Sequence, residues 1–200
     1  MNPYVVLVLE ALLFALAFGA LTWLRGEGLP ARFAWEVLGV TAVLLALSWL
    51  ARTPIHPVLF LVIIYLVTMR ARLLVDLANM LAGRGRFGQA LAVLGTAQRL
   101  SSDDISRTLI QINTGVVLIR QKQFEEAAQL LSSTLQGIPV GRGGPKYEAG
   151  CRYNLGLAYL RTGQESEAVE QFNAVIELLP NSLYARGAEA ALARRRKIQR

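Results

Sequence analysis

Two long apolar runs near the N-terminus constrain this chain more than any other feature. Residues 3–24 and 33–50 contain one ionisable group each, Glu10 and Glu36. As helices they extend about 33 Å and about 27 Å, which is close to the thickness of a bilayer core. Both runs therefore predict membrane-spanning helices, joined through the turn-forming residues 25–30. Cleavage of the first run as a signal peptide is disfavoured, because a basic n-region is missing.

A third run, residues 55–69, is only about 22 Å long as a helix. It spans a bilayer if it tilts little and Arg70 and Arg72 extend toward the interface. With three spans, Arg52 faces one side of the membrane and six arginines face the other: Arg25, Arg32, Arg70, Arg72, Arg84 and Arg86. Basic residues are enriched on the cytoplasmic side, so we expect an outside N-terminus and a cytoplasmic C-terminal half. With only two spans, Arg25 and Arg32 would lie on the opposite side of the membrane from Arg70 and Arg72, and the difference in arginine number would be smaller.

Two features of the first span are candidates for function. Glu10 is a carboxyl group in an apolar helix, where such groups can mark a pathway or a partner. It can equally be protonated, or reached by water near the outer interface. Small residues recur every four positions and allow close helix packing, either inside the protein or with the helix of a partner: Ala11, Ala15 and Gly19.

Most of the net charge of +7 lies at the end of the chain. Residues 1–69 have no net charge, residues 70–180 have +2, and residues 181–200 have +5. The sequence therefore has a short basic tail rather than a basic domain. The tail either stays solvated or contacts anionic lipid, and its residues are Arg194, Arg195, Arg196 and Lys197. Nucleic acid is disfavoured, because no nucleic-acid-binding motif and no interleaved aromatic residues are present.

Internal repetition follows residue 70. Residues 153–180 resemble the tetratricopeptide repeat through Leu155, Gly156, Tyr159, Gly163, Ala168, Phe172 and Pro180. Two weaker copies precede this segment, one with Leu77, Ala78, Leu81, Gly85, Phe87, Ala90, Leu94 and Ala97, the other with Gly115, Leu118, Phe124, Ala127 and Leu131. The alanines 90, 127 and 168 are 37 and 41 residues apart against a family period of about 34. The extra residues predict loops near residues 101–106 and 137–147.

The resemblance covers residues 70–197, where it implies helix pairs, and it says nothing about the membrane half. With the apolar helices of residues 1–69, the expected fold is all-α. We expect a three-helix transmembrane region in residues 1–69 and a right-handed array of three helix pairs in residues 70–180. A capping helix and the basic tail follow in residues 181–200, with Tyr184, Ala188 and Ala191 packed on the third repeat. Residues 58–82 lack glycine and proline, which predicts that the third span continues unbroken into the first repeat helix.

The resemblance also implies a protein-binding groove lined by the first helix of each pair. Its expected residues are Val75, Asn79, Ile112, Val116, Ile119, Tyr153, Leu157 and Leu160. Family members that clamp a chaperone's C-terminal carboxylate use lysine, asparagine and arginine there. This sequence keeps Asn79 alone. The mostly apolar set favours an amphipathic helix or an apolar segment as ligand, although part of it could be core or lie under the capping helix.

No catalytic, cofactor or metal site is predicted. Residues 83–88 spell G-x-G-x-x-G, but they fall in a helix–helix turn rather than a strand–helix turn. Residues 137–146 are glycine-rich but lack G-K-[ST]. One cysteine and one histidine, Cys151 and His56, exclude disulfides and His/Cys metal clusters.

The sequence predicts a non-catalytic scaffold, adaptor or accessory subunit that mediates complex assembly at the membrane, with proteins and lipids as partners and no small-molecule substrate. The alternative is a small transport or enzyme-complex component that uses Glu10, with the repeats as an assembly handle. Arginine outnumbers lysine 18 to 3, a bias that favours a GC-rich bacterium. The expected location is therefore a bacterial inner membrane, crossed several times.

Overall fold

The computed structural model describes residues 2–24, 33–101, 103–138 and 144–198, and every regular element in them is a helix. The chain forms two compact units, Met1–Leu74 and Val75–Arg200. We call them the N-terminal unit and the repeat unit.

Three apolar helices form the N-terminal unit: α1 (Pro3–Leu24), α2 (Phe33–Leu50) and α3 (Pro57–Thr68). Each contacts the other two. The buried residues form a narrow internal stripe, made of Leu7, Ala11, Phe33, Val37, Phe60 and Ile64. Aromatic rings fill one level of the bundle, where the Phe18 ring lies 4.5 Å from Phe14 and 6.1 Å from Tyr65 between centroids.

Two described helices are long and apolar enough to cross a membrane, within Pro3–Leu21 and Phe33–Leu50. A third candidate arises only if α3 and the following helix count as one broken span. These assignments of candidate spans rest on helix length and apolar composition.

The prediction of an unbroken helix over residues 58–82 is wrong. Helix α3 ends at Thr68, α4 (Arg70–Gly83) begins after Met69, and the pair is bent by 74°. The Arg70 side chain contributes to this break, because it donates a hydrogen bond of 2.7 Å to the Val67 carbonyl at the end of α3. Its guanidinium also donates to both oxygens of Glu36, at 2.7 and 2.9 Å. A side chain that satisfies terminal carbonyls supports a helix end there.

The repeat unit continues with six further helices: α5 (Phe87–Leu100), α6 (Asp104–Arg120), α7 (Phe124–Gln136), α8 (Pro145–Arg161), α9 (Glu165–Leu178) and α10 (Leu183–Ile198). Three helix pairs share one turn geometry. Each turn contains a residue with positive φ, namely Gly85 at 75°, Lys122 at 66° and Gly163 at 78°. These residues have the spacing of the repeated alanines, so the three pairs are equivalent in register.

Small residues let the paired helices approach closely. Ala90, Ala127 and Ala168 are fully buried. A Cβ atom added at Gly115 would lie 2.7 Å from Leu131, and one added at Gly156 would lie 2.8 Å from Phe172. These distances are shorter than a carbon–carbon contact permits, so a larger residue at either position would force the Leu131 or Phe172 side chain to shift.

Helix α10 packs on the last pair. Ala188 is fully buried in the cluster formed with α8 and α9, and Tyr184 and Ala191 pack against that cluster. The contacts expected from the spacing of these residues are present.

Candidate functional site

The predicted groove residues belong to α4, α6 and α8, the first helices of the three pairs. We call the side of the repeat unit that these helices form the first-helix face. Helices α6 and α8 contact each other. Asn79 Nδ2 on α4 donates a hydrogen bond of 2.9 Å to Asn113 Oδ1 on α6. The face is therefore built from adjoining helices joined by packing and by a carboxamide pair.

The structure places several predicted groove residues in the interior. Val75 and Ile112 are buried, with exposed fractions of 4% and 7%. Ile119 is half-buried against the core that joins α6, α7 and α8. Val116 and Asn79 are half-buried at the first-helix face. Within this face, Val116 thus provides more accessible apolar surface than Val75 or Ile112.

The groove residues of α8 pack mainly within the unit. The Tyr153 ring lies 6.1 Å from Phe172 and 5.9 Å from Tyr184, measured between centroids. A Cβ added at Gly187 of α10 would lie 2.8 Å from the Tyr153 ring. Leu157 and Leu160 pack against the same α8–α10 cluster. Helix α10 therefore lies over part of the surface expected to be open.

Sequence reasoning missed two asparagines on this face. Asn113 Nδ2 donates to the Leu109 carbonyl at 2.8 Å, and Asn154 Nδ2 donates to the Gly150 carbonyl at 2.7 Å. The two side chains are equivalent, since they are 41 residues apart like the alanines of their repeats. A carboxamide has two donor hydrogens and two acceptor lone pairs, so each keeps capacity for a ligand. The 41-residue spacing of these two asparagines is the sequence feature that could have identified them as candidates.

In the N-terminal unit, the small-residue stripe faces the inside. Ala11 is 4% exposed, Ala15 packs against the internal cluster, and Gly19 is half-buried. Glu10 lies at the edge of this stripe and is half-buried. Its Oε2 atom is covered, and no described residue donates a hydrogen bond to it.

Of the two tail residues whose side chains are described, Arg195 is held within the repeat unit. Arg195 Nε forms an ion pair of 2.9 Å with Glu165 Oε2 at the start of α9. Arg194 is exposed. The side chains of Arg196 and Lys197 lie outside the described residues.

Cys151 is a core residue. It is fully buried, and its Sγ donates to the Leu131 carbonyl at 3.3 Å. Burial raises the pKa of the thiol to about 12, while Arg152 lowers this pKa and Glu148 raises it. The thiol is therefore protonated at neutral pH, which opposes a nucleophilic role. Among the described residues, no group of three or more His, Cys, Asp or Glu is arranged to hold a metal ion.

The comparisons with known proteins identify the repeat. A tetratricopeptide repeat profile matches residues 149–182. The structure is similar to the N-terminal domain of stress-induced protein-1 from C. elegans, with 21% sequence identity and a TM-score of 0.50. That similarity covers 62% of this chain and 95% of the other, and it concerns the fold alone. No curated protein matches the chain.

Proposed function

Because residues 149–182 are a tetratricopeptide repeat, we propose that this protein is a membrane-anchored, non-catalytic scaffold, adaptor or accessory subunit. The N-terminal unit anchors the chain, and the repeat unit binds a protein partner. The observation that carries the proposal is the presence in one chain of a protein-binding repeat and a unit with an apolar exterior.

The exterior of the N-terminal unit supports the membrane anchor. Large apolar side chains point outward on all three helices, with exposed fractions of 69% for Leu16, 74% for Trp35 and 62% for Val58. A continuous apolar exterior of this kind marks contact with a protein or a membrane. Trp35 and Trp49 lie near opposite ends of α2 and are both highly exposed. Tryptophan is enriched at the two membrane interfaces, so their placement favours a spanning helix.

The ion pair between Glu36 and Arg70 supports a multi-pass arrangement. Glu36 is in the first turn of α2, and Arg70 follows the end of α3. Their contact requires that the start of α2 and the end of α3 lie at the same level. If both helices cross the membrane, the pair lies at one interface. From the arginine distribution, we propose that this is the cytoplasmic side of a bacterial inner membrane and that the N-terminus is outside.

We propose that the partner binds the first-helix face through an amphipathic helix or an apolar segment. Val116 and the exposed part of Ile119 would contact its apolar side chains. Asn79, Asn113 and Asn154 would bind polar groups at the edge of that segment. Hydrogen bonds within the repeat unit already restrict these asparagine side chains. This favours the role, because less side-chain entropy is lost when the partner binds.

The test is purification of the full chain from native membranes in a mild detergent, followed by identification of stoichiometric partners. Val116→Lys places a charge on the first-helix face without altering a fully buried residue. Ser166→Lys adds the same charge on the exposed first turn of α9 and is the matched control. We expect the partner to be lost with Val116→Lys and kept with Ser166→Lys. A partner that binds both variants equally contradicts the proposed face.

A second candidate function rests on Glu10. Its oxygen Oε2 is covered, and no described residue donates a hydrogen bond to it. Such an oxygen is costly in an apolar environment, which favours a role in a small transport or enzyme complex. Glu10→Gln separates the two candidates. The scaffold proposal expects the complex and its activity to be unchanged, whereas lost activity in an intact complex favours the alternative.

A further inference from the structure

We propose that a cavity on the second-helix side of the repeat unit binds an arginine side chain from a basic segment of a protein partner. This inference rests on the proposed function as a protein-binding scaffold and concerns a different surface. The cavity has a volume of about 470 Å³. Helix α7 provides one wall through residues on a single helical face, Glu125, Gln129, Ser132 and Gln136, and Tyr159 and Gln164 provide another.

The chemistry of the wall selects a cation. Among the described residues that line the cavity, Glu125 is the charged one, and none is a lysine or an arginine. The carboxamide oxygens and the Ser132 hydroxyl can accept hydrogen bonds. An anionic ligand would meet an uncompensated carboxylate, whereas a cationic ligand would pair with Glu125.

Guanidinium fits this wall better than ammonium does. It is planar, it remains charged, and its five N–H groups can bind a carboxylate and several neutral acceptors together. Tyr159, which also lines the cavity, is aromatic, and arginine stacks on aromatic rings more often than lysine does. The cavity therefore favours an arginine side chain.

The exposed faces of α7 and α9 are acidic. Helices α7 and α9 contain six glutamates and no lysine or arginine. All six are exposed: Glu125, Glu126, Glu165, Glu167, Glu170 and Glu177. Among the described residues, Glu165 is the one member of this set that forms an ion pair. The exposed carboxylate of Glu126, next to Glu125 in the first turn of α7, adds local negative charge, which raises the local concentration of a cationic ligand.

The test uses the full chain in nanodiscs of phosphatidylcholine, a zwitterionic lipid without net charge. The probe is a fluorescent octapeptide with two arginines among glycines and serines, and binding is followed by anisotropy. A second peptide carries citrulline, which is neutral and nearly isosteric, in place of each arginine. We expect the arginine peptide to bind at least about tenfold more tightly than the citrulline peptide.

Two matched variants locate the site. Glu125→Gln removes the carboxylate of the cavity, and we expect it to weaken binding about tenfold. Glu177→Gln removes the same charge at the last turn of α9, outside the cavity, and should change binding less than about twofold. Both residues are exposed, and unchanged thermal unfolding verifies the fold of each variant.

Three results would overturn the proposal. Equal loss in the two variants would show attraction by diffuse charge without a site. Equal binding of the two peptides, or no binding, would exclude guanidinium recognition. If the protein self-associates without peptide and Glu125→Gln abolishes this self-association, the occupant of the cavity is a second copy of the chain. The Val116→Lys variant separates this outcome from the proposed function, since it should lose the native partner and still bind the peptide.

Discussion

The two units are both helical, but they distribute their apolar side chains in opposite ways. In the N-terminal unit, a narrow stripe is buried and large residues such as Leu16 face outward. In the repeat unit, large residues such as Phe172 and Leu131 are fully buried, and the outer faces of α7 and α9 carry charges. The difference teaches that helix formation alone does not decide which side chains are exposed. The medium around the helices decides it, and we propose lipid for one unit and water for the other.

The largest expected effect comes from charging the exterior of the N-terminal unit. Leu13 and Leu16 are 65% and 69% exposed. An aspartate at the centre of a spanning helix costs about 2.5–3.5 kcal/mol, so Leu13→Asp with Leu16→Asp should remove most of the chain from membranes after alkaline carbonate extraction. Ala190→Asp with Ser166→Asp, at exposed positions of the repeat unit, should leave the chain in the membrane fraction. Equal extraction of both double variants would contradict the proposal that lipid surrounds the N-terminal unit and water surrounds the repeat unit.

A large effect is also expected from emptying the core of the repeat unit. Phe172 is 1% exposed, and Phe172→Ala should lower the free energy of unfolding by about 3–5 kcal/mol. The control is Leu183→Ala, at a residue that is 84% exposed, with an expected change of about 0.5 kcal/mol or less. Urea unfolding of the full chain in detergent measures both. Equal losses would show that the burial contrast within this unit has no energetic consequence.

A smaller effect sharpens the role of the helix crossings. Gly156→Ala forces a methyl group against Phe172 and should cost about 1–3 kcal/mol. Gly95→Ala has open space around it on α5 and should stabilise the unit by about 0.5–1 kcal/mol, because alanine is the better helix former. Opposite signs in the same unfolding measurement would support the crossing, and a stabilising Gly156→Ala would contradict it.

The smallest expected signal concerns Cys151. Because burial raises its pKa to about 12 from 9.0, the folded protein should resist alkylation at pH 8 and react upon unfolding. The unfolded thiol loses its proton first as pH rises. The contribution of this group to the free energy of unfolding is therefore complete below about pH 9 and declines between about 9 and about 12. Iodoacetamide labelling read by mass spectrometry checks the first expectation, and rapid labelling of the folded chain would contradict it.

Sequence periodicity predicted more of the fold than of the candidate site. Apolar length alone located α1 and α2, and the small residues at positions 156 and 168 located the crossing of the third pair. The helix break at Met69 was not predicted from the sequence. It involves Arg70, which contacts Glu36, 34 residues away, and a local pattern does not reveal such a contact. A helical pattern identifies a residue's face but not the neighbour that covers that face. For this reason the packing of Tyr153 under α10 and the bond between Asn79 and Asn113 required the structure.

The contrast between the units can be measured directly with nitroxide labels at Leu16→Cys and Glu177→Cys in the full chain in lipid bilayers. The buried native Cys151 should remain unlabelled, so each variant reports a single site. We expect the label at residue 16 to collide with dissolved oxygen and to be shielded from a water-soluble nickel chelate, and the label at residue 177 to show the opposite. A label at residue 16 that collides freely with the nickel chelate would contradict the assignment of the N-terminal unit to the membrane.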